Sequence, residues 1–112
     1  RITAQNEAIG VGDGGFGQYL AEMTTAVQYE MDITHVLIDN GMLGKISKEQ
    51  RAARYPVWHT QLHNPDFAEY ARLCGALGLR AGRNDEVPDA LAAAFAHHGP
   101  ALVHISADPE LV

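Results

Sequence analysis

The sequence predicts an α/β fold with three layers, α/β/α, in which a mostly parallel sheet lies between helices. Short apolar and β-branched runs alternate along the chain with segments whose apolar residues recur at helical spacing. One such run, THVLID at 34–39, is typical of a strand buried on both faces, as parallel strands are. A glycine-rich turn at 10–15 follows the first run. This order of strand, turn and helix is typical of α/β proteins that bind ligands at strand ends.

The first half of the chain predicts two strands and two helices. AIGV, 8–11, predicts a short strand before the glycine turn, and 34–39 predicts the second strand. A helix is predicted between them at 18–31, and a shorter helix at 47–53, which Pro56 ends. The helical spacing of the longer segment is carried by Leu20, Met23, Ala26 and Val27.

The second half predicts two further helices, each followed by a strand. The first helix should have Asn64 as its N-cap and Pro65 at its first helical position. Gly99 should end the second helix. Strands are expected at 79–81 and 101–106. The residues expected to face inward are Phe67, Tyr70, Ala71 and Cys74 in the first helix, and Val87, Leu91, Ala94 and Phe95 in the second.

Length and composition predict a single domain over 1–112, because domains cluster near about 100–150 residues. The formal net charge of -6 argues against a nucleic-acid partner, and membrane contact is not evident, because no apolar run approaches the roughly 18 residues of a membrane span. The single cysteine, Cys74, can form no intramolecular disulfide, which favours a cytoplasmic location. A soluble cytoplasmic protein is therefore expected.

The glycine turn, GVGDGG at 10–15, has two interpretations. It matches the G-x-G-x-x-G pattern of dinucleotide-binding proteins, with Glu30 or Asp32 as the acid that binds the ribose. However, Asp13 lies inside the turn, where its carboxylate would repel a pyrophosphate held by backbone N–H groups alone. A divalent cation between Asp13 and a diphosphate removes this repulsion. Mg²⁺ suits that place, because it is usually held by one or two carboxylates together with phosphate oxygens.

A second oxygen ligand for such a cation is predicted at Asn40. This residue follows the second strand, and a strand–helix–strand unit returns the chain beside its first strand. Gly41 and Gly44 permit a turn in NGMLG that directs a backbone carbonyl, that of Met42, at the same ion. The residues therefore predict a metal-bridged diphosphate site at the ends of two adjacent strands.

Asp13 between glycines, followed by a helix, a strand and Asn40, resembles the thiamine-diphosphate motif of the pyruvate oxidase, acetolactate synthase and 2-oxo acid decarboxylase superfamily. The resemblance is to the C-terminal, diphosphate-binding domain and implies its fold, which we expect to be truncated at its N-terminus. The family motif opens with Gly-Asp-Gly, intact here at 12–14, and closes with two asparagines, which here read Asp39-Asn40. GMLGKISKEQ, FAEYARLCGALGLR and GPALVHISADPELV extend the resemblance over almost the whole chain.

The resemblance implies roles for individual residues. Asp13, Asn40 and the carbonyl of Met42 would bind Mg²⁺. Backbone N–H groups of the turn would donate to the diphosphate, and a helix that begins near Phe16 would add its dipole. Glu49 would face the active site as the candidate catalytic residue. The other residues that would contact the cofactor or face the active site are Gly12, Gly14, Gly15, Gly41, Gly44 and Ile46.

The function implied by this resemblance is decarboxylation of a small 2-oxo acid such as pyruvate, with thiamine diphosphate and Mg²⁺ as cofactors. GKISKEQ favours an enzyme like pyruvate oxidase or quinone-linked pyruvate dehydrogenase, with FAD bound through a domain outside these residues. Acetolactate synthase and simple decarboxylases stay open. A second subunit would supply the pyrimidine-binding N-terminal domain and its activating glutamate, so the isolated chain is expected to be inactive. Alternatives of other classes are a dinucleotide-binding module and a non-catalytic interaction domain.

Two pairs of histidines have simpler explanations than metal binding. His59 and His63 have the spacing of a helical metal pair, but prolines crowd their segment and no third ligand is evident. His97 and His98 should lie in the last turn of a helix before Gly99, where imidazolium interacts favourably with the helix dipole. Zinc is therefore disfavoured.

Overall fold

Four strands form one sheet in the computed structural model, which describes residues 7–108. Every strand pairing in this sheet is parallel, and the strand order is β1-β2-β4-β3. The parallel sheet predicted from the sequence is therefore confirmed. The strands are β1 Glu7–Gly12, β2 Ile33–Asp39, β3 Leu77–Ala81 and β4 Ala101–Ser106.

Helices connect the strands, and a single turn of 3-10 helix, Asn84–Glu86, leads into the last of them. Within residues 7–108, no helix is long and apolar enough to cross a membrane. The helices are α1 Asp13–Gly17, α2 Glu22–Gln28, α3 Gly44–Ala52, α4 Phe67–Leu73 and α5 Val87–Ala96.

The core has two parts, one on each face of the sheet. Successive residues of β4 point to opposite faces, because side chains alternate along a strand. Leu102 packs with α1, α2 and α4, whereas its neighbours Ala101 and Val103 pack with Ala94 of α5. The three-layer α/β/α arrangement is thereby confirmed. The buried residues of the larger cluster are Phe16, Met23, Leu37, Phe67, Ala71 and Leu102.

The helix predicted at 18–31 is shorter in the structure, because only α2, 22–28, lies in that range, and a separate short helix, α1, precedes it. The first helix already begins at Asp13, directly after Gly12, which ends β1 and is the N-cap. An aspartate in the first helical turn is favourable for the helix dipole. The two helices are separated at 18–21, where the amides of Tyr19 and Glu22 donate to carbonyls only three residues earlier. These tight turns interrupt the α-helical ladder.

Asn64 and Pro65 do not begin α4, which corrects the predicted cap. The N-cap is Asp66, whose side chain accepts a hydrogen bond of 3.1 Å from the backbone N–H of Glu69. Asn64 therefore lies outside the helix and its side chain is used elsewhere. The bounds of other elements also differ from prediction: α3 is 44–52 rather than 47–53, β3 begins at 77 rather than 79, β1 is 7–12 rather than 8–11, and β2 begins at 33 rather than 34.

One residue predicted to face inward in α5 faces outward. Phe95 is exposed, whereas Ala94 is fully buried and Leu91 packs beside it against β3 and β4. The face of α5 that packs on the sheet thus carries Ala94, and Phe95 lies at the edge of that face. The helix ends at Ala96, so that His97 is its C-cap, as the sequence placed it near the helix end.

Close packing of α4 on β3 requires glycine at position 78. A Cβ built there would lie 2.0 Å from the carbonyl oxygen of Ala68 in α4, which is backbone and cannot rotate away. Gly78→Ala should therefore destabilise the protein by about 1–3 kcal/mol, the usual cost of overpacking. The matched control is Gly10→Ala in β1, where a Cβ would meet nothing within 4 Å. Equal urea midpoints for the two variants would contradict this packing.

Candidate functional site

The predicted site residues meet at the carboxyl end of the sheet. β1 and β2 are adjacent and parallel, with Gly12 paired to Ile38, so Asp13 is level with Asp39, and Asn40 follows one residue later. A cleft of about 470 Å³ lies at this edge. Glu49 does not line it. Eight of the predicted residues do: Gly12, Asp13, Gly14, Gly15, Asn40, Met42, Gly44 and Ile46.

Asp13 is almost completely buried, with 3% of its surface exposed. Its Oδ2 accepts hydrogen bonds from the backbone N–H of Gly41, at 3.1 Å, and from Nδ2 of Asn64, at 2.7 Å. A carboxylate held through one oxygen in this way can present its other oxygen, Oδ1, to a cation. Donors from two distant segments therefore compensate part of the buried charge inside the glycine turn.

A second carboxylate, Asp39, shares both of these donors. Its Oδ1 accepts from Gly41 N–H at 2.9 Å and from Asn64 Nδ2 at 3.0 Å. Its Oδ2 lies 2.7 Å from Nε2 of His104, a β4 residue that is 1% exposed. Among residues 7–108, Nδ1 of His104 has no hydrogen-bond partner, and Oδ1 of Asp66 lies 3.9 Å away. Of the two carboxylates, only Asp39 is directly hydrogen-bonded to His104.

The pKa values of the two carboxyl groups are shifted in opposite directions. Burial and the neighbouring charge of Asp39 raise the pKa of Asp13, although the hydrogen bond from Asn64 opposes this change. Burial also acts to raise the pKa of Asp39, but hydrogen bonds from His104 and the Gly41 N–H outweigh it, and the pKa of Asp39 is lowered. Asp39 therefore holds the more stable negative charge, and Asp13 is the acid that a cation would stabilise most.

The turn after β2 is held in place on both sides. Gly41 adopts a φ of 75°, which glycine tolerates, and the Asn40 Oδ1 accepts a 3.2 Å hydrogen bond from the Met42 N–H. The segment 60–62 runs antiparallel to this turn: Leu43 N–H donates to Thr60 O and Leu62 N–H donates to Gly41 O. Gly41, Met42 and Leu43 are thus fixed relative to Asp13.

The residues at the cleft fit a magnesium ion with a diphosphate. The available donors are a carboxylate, an amide oxygen with a second lone pair, and backbone carbonyls, all of which are hard oxygen ligands. In the described part of the chain, no group of three His, Cys, Asp or Glu side chains is arranged to hold a metal. A Cβ at Gly12 would meet nothing within 4 Å, so that glycine keeps the cleft open.

The glycines of the turn have different roles. Gly14 and Gly15 lie in the first turn of α1, where backbone N–H groups have no intrahelical acceptor and are free to donate. A Cβ at Gly14 would lie 2.6 Å from Cδ2 of Leu43, the end of a side chain that can shift, so packing alone does not require glycine there. The helix predicted near Phe16 begins at Asp13 instead and has only five residues, which leaves individual N–H groups rather than a long dipole.

Glu49 is exposed on α3 and lies three residues after Ile46, which lines the cleft. Residues at this spacing share one helix face, so Glu49 lies one helical turn further from the cleft than Ile46 does. Ile46 itself is 45% exposed. The catalytic role of Glu49 stays a prediction.

The dinucleotide interpretation loses support from the position of its acids. Glu30 and Asp32 precede β2, at the end of the sheet opposite the glycine turn. Oδ1 of Asp32 accepts a 2.7 Å hydrogen bond from the N–H of Gly99, before β4. A ribose-binding acid is needed at the carboxyl end instead. His59 and His63 also lack the helix that a metal pair requires, since no helix is assigned between 53 and 66.

Sequence reasoning missed Asn64, Asp39 and His104 as parts of one network. The sequence predicts a cap at Asn64 because asparagine before proline at a helix start is typical of one. The competing signal was Asp66 followed three residues later by Glu69, the spacing of a capping pair. That pattern assigns the cap to Asp66 and leaves Asn64 available. No local signal indicates the contacts of Asn64, because its partners lie 51 and 25 residues away.

Two known proteins are similar to this chain in sequence over most of its length. A relative from Bacillus subtilis (strain 168), named "Putative thiamine pyrophosphate-containing protein YdaP", is 35% identical over 102 residues, covering 90% of this chain and 18% of the relative. The catabolic acetolactate synthase of Raoultella terrigena is 34% identical over 110 residues, covering 96% of this chain and 19% of the relative. The chain thus spans less than a fifth of either relative.

The fold has a solved counterpart. The benzoylformate decarboxylase of Polynucleobacter necessarius superposes with a TM-score of 0.88 at 20% identity, over 95% of this chain and 20% of that one. At this identity the likeness shows the fold alone. Residues 5–105 match the family described as "Thiamine pyrophosphate enzyme, C-terminal TPP binding domain". The chain therefore belongs to the family of C-terminal TPP-binding domains of thiamine pyrophosphate enzymes.

Proposed function

We propose that this chain binds the diphosphate of thiamine diphosphate through Mg²⁺, as part of an enzyme that decarboxylates a small 2-oxo acid such as pyruvate. The observation that carries this proposal is the buried carboxylate of Asp13 in a cleft that Asn40 also lines. A buried acid is costly unless a positive charge or strong donors compensate it. A cation shared with a diphosphate accounts for both the acid and the glycines around it.

The cleft residues divide into metal ligands and diphosphate donors. Asp13, the Oδ1 of Asn40 and the carbonyl of Met42 would hold the cation, with diphosphate oxygens and water completing its shell. The N–H groups of Gly14 and Gly15 would donate to the diphosphate, because the first turn of α1 leaves them without carbonyl partners. Gly12 would let the diphosphate approach the backbone closely.

Thiamine diphosphate, when bound, supplies the nucleophilic carbon and the electron sink that decarboxylation of a 2-oxo acid requires. This chain would anchor and orient the cofactor, and Ile46 and Glu49 of α3 would lie toward the substrate. A second subunit would supply the N-terminal pyrimidine-binding domain. A reducing compartment such as the cytoplasm suits a chain whose single cysteine can form no internal disulfide.

The acceptor of the reaction decides the enzyme class. The GKISKEQ segment supports a reaction like that of pyruvate oxidase or quinone-linked pyruvate dehydrogenase, with FAD bound outside this chain. The alternative is an acetolactate synthase type of carboligase or a simple decarboxylase, which the name of the Raoultella terrigena relative supports. A non-catalytic interaction domain is a third possibility of another class, in which the cofactor is not bound at all.

Calorimetric titration of the whole protein that carries this chain tests the proposal. Thiamine diphosphate should bind only when Mg²⁺ is present, and Asp13→Ala should weaken binding by about 100-fold or more, because even outer partners of a metal site cost about 10–100-fold. The matched control is Asp89→Asn, an exposed acid of α5, which should bind like the parent protein. Absence of thiamine diphosphate binding would favour an interaction domain, and Mg²⁺-independent binding of NAD would favour a dinucleotide module.

The ionised carboxylate of Asp13 should destabilise the folded protein when no metal is bound. Its raised pKa means that the folded protein holds the proton more tightly than the unfolded chain, so the carboxyl is harmless below about pH 4 and destabilising as pH rises through the folded pKa. Asp13→Asn should therefore raise the melting temperature of the metal-free protein at pH 7. Near pH 4 the two proteins should melt together.

Asp39→Asn is the control for this experiment and should behave in the opposite way. The lowered pKa of Asp39 means that its charge contributes stability above about pH 4, and that this contribution is lost as pH falls through the folded pKa. Asp39→Asn should therefore melt at a lower temperature than the parent protein at pH 7. A metal-free Asp13→Asn variant that is less stable than the parent protein at pH 7 would contradict the assigned cost.

A further inference from the structure

Asn64 joins two acids that come from different strand ends. Its Nδ2 lies 2.7 Å from Oδ2 of Asp13, after β1, and 3.0 Å from Oδ1 of Asp39, at the end of β2. An amide nitrogen carries two hydrogens, so one can be donated to each carboxylate. The assignment of nitrogen rather than oxygen to this position follows from the partners, because ionised carboxylates only accept hydrogen bonds.

The two carboxylates repel one another and have few other donors between them. Gly41 N–H is the second group that both accept from, at 3.1 Å for Asp13 and 2.9 Å for Asp39. His104 contributes to Asp39 only, through Oδ2. Asn64 is therefore the side chain that couples the position of Asp13 to that of Asp39.

A neutral donor is the suitable kind of group for this position. A lysine or arginine there would cancel the negative charge that attracts a cation, whereas an amide fixes the carboxylate and leaves its charge in place. Asn64 also lies two residues after the segment 60–62, which holds the turn of Gly41, Met42 and Leu43 by backbone hydrogen bonds. The same stretch of chain thus fixes both sides of the cleft.

We propose that Asn64 is a positioning residue for the magnesium site: it bridges Asp13 and Asp39 and holds Asp13 through Oδ2, so that Oδ1 is presented to the cation. This inference rests on the proposed function, since it needs a cation at Asp13. Asn64 acts through Asp13 and does not ligate the metal itself. Its removal leaves two adjacent carboxylates with one shared donor, and Asp13 is then free to rotate away from Asn40.

A double-mutant cycle on the whole protein tests this role, with the apparent dissociation constant of Mg²⁺ measured calorimetrically in saturating thiamine diphosphate. Asn64→Leu keeps a side chain of similar size and removes the donor, and it should weaken Mg²⁺ binding by about 10–100-fold. In an Asp39→Asn background the same change should weaken binding by less than about threefold, because the new amide can donate to Asp13 in place of Asn64.

A purely structural role for Asn64 predicts a different result. If Asn64 only supported the entry into α4, Asn64→Leu would weaken Mg²⁺ binding equally in both backgrounds, and that additivity would overturn the proposal. Where Asn64→Leu does not fold, Asn64→Ser replaces it in the cycle. A hydroxyl has one hydrogen and serves one carboxylate at a time, so about a tenfold loss is expected, again reduced by Asp39→Asn.

The failure of this inference is distinguishable from the failure of the proposed function. If the parent protein binds no Mg²⁺ in the presence of thiamine diphosphate, the proposed function fails and the positioning role fails with it. If the parent protein binds the metal and Asn64→Leu binds it equally tightly, only the positioning role is overturned.

Discussion

Two carboxylates lie side by side because β1 and β2 are adjacent parallel strands that end at the same level, and the rest of the site compensates for that proximity. Gly41 N–H and Asn64 donate to both acids, and His104 from β4 donates to Asp39. These donors come from three separate parts of the chain. The turn after β2, the segment before α4 and the centre of the sheet are therefore tied to one another through the charges of Asp13 and Asp39.

The negative charges of Asp13 and Asp39 are compensated unequally, so the two acids differ in function. Asp39 has the donors it needs and a lowered pKa, so its charge belongs to the folded protein with or without a ligand. Asp13 is more deeply buried and its pKa is raised, so its charge is only fully stabilised when something positive arrives. A site that is strained without its ligand and relieved with it is typical of functional positions, where stability is exchanged for binding.

The strands, the parallel sheet and the glycine turn were predictable because they depend on local patterns: apolar runs, helical spacing and glycines. The late start of the helix predicted at 18–31, which begins at 22, was not, because the tight turns at Tyr19 and Glu22 leave the apolar spacing unchanged. The sequence predicts Asn64 as a cap because asparagine before proline is typical of one. Its contact with Asp13 spans 51 residues, so no local sequence pattern indicates it. Asp13 and Asn40 were predictable as a pair because strand topology alone brings them together.

The most direct test of the account is a crystal structure of the whole protein grown with Mg²⁺ and thiamine diphosphate. The account predicts one cation at the carboxyl ends of β1 and β2, about 2.0–2.1 Å from an oxygen of Asp13, the Oδ1 of Asn40 and the carbonyl oxygen of Met42, and shared with the diphosphate. A diphosphate bound elsewhere, or bound at this cleft with no cation between it and Asp13, would contradict the central claim.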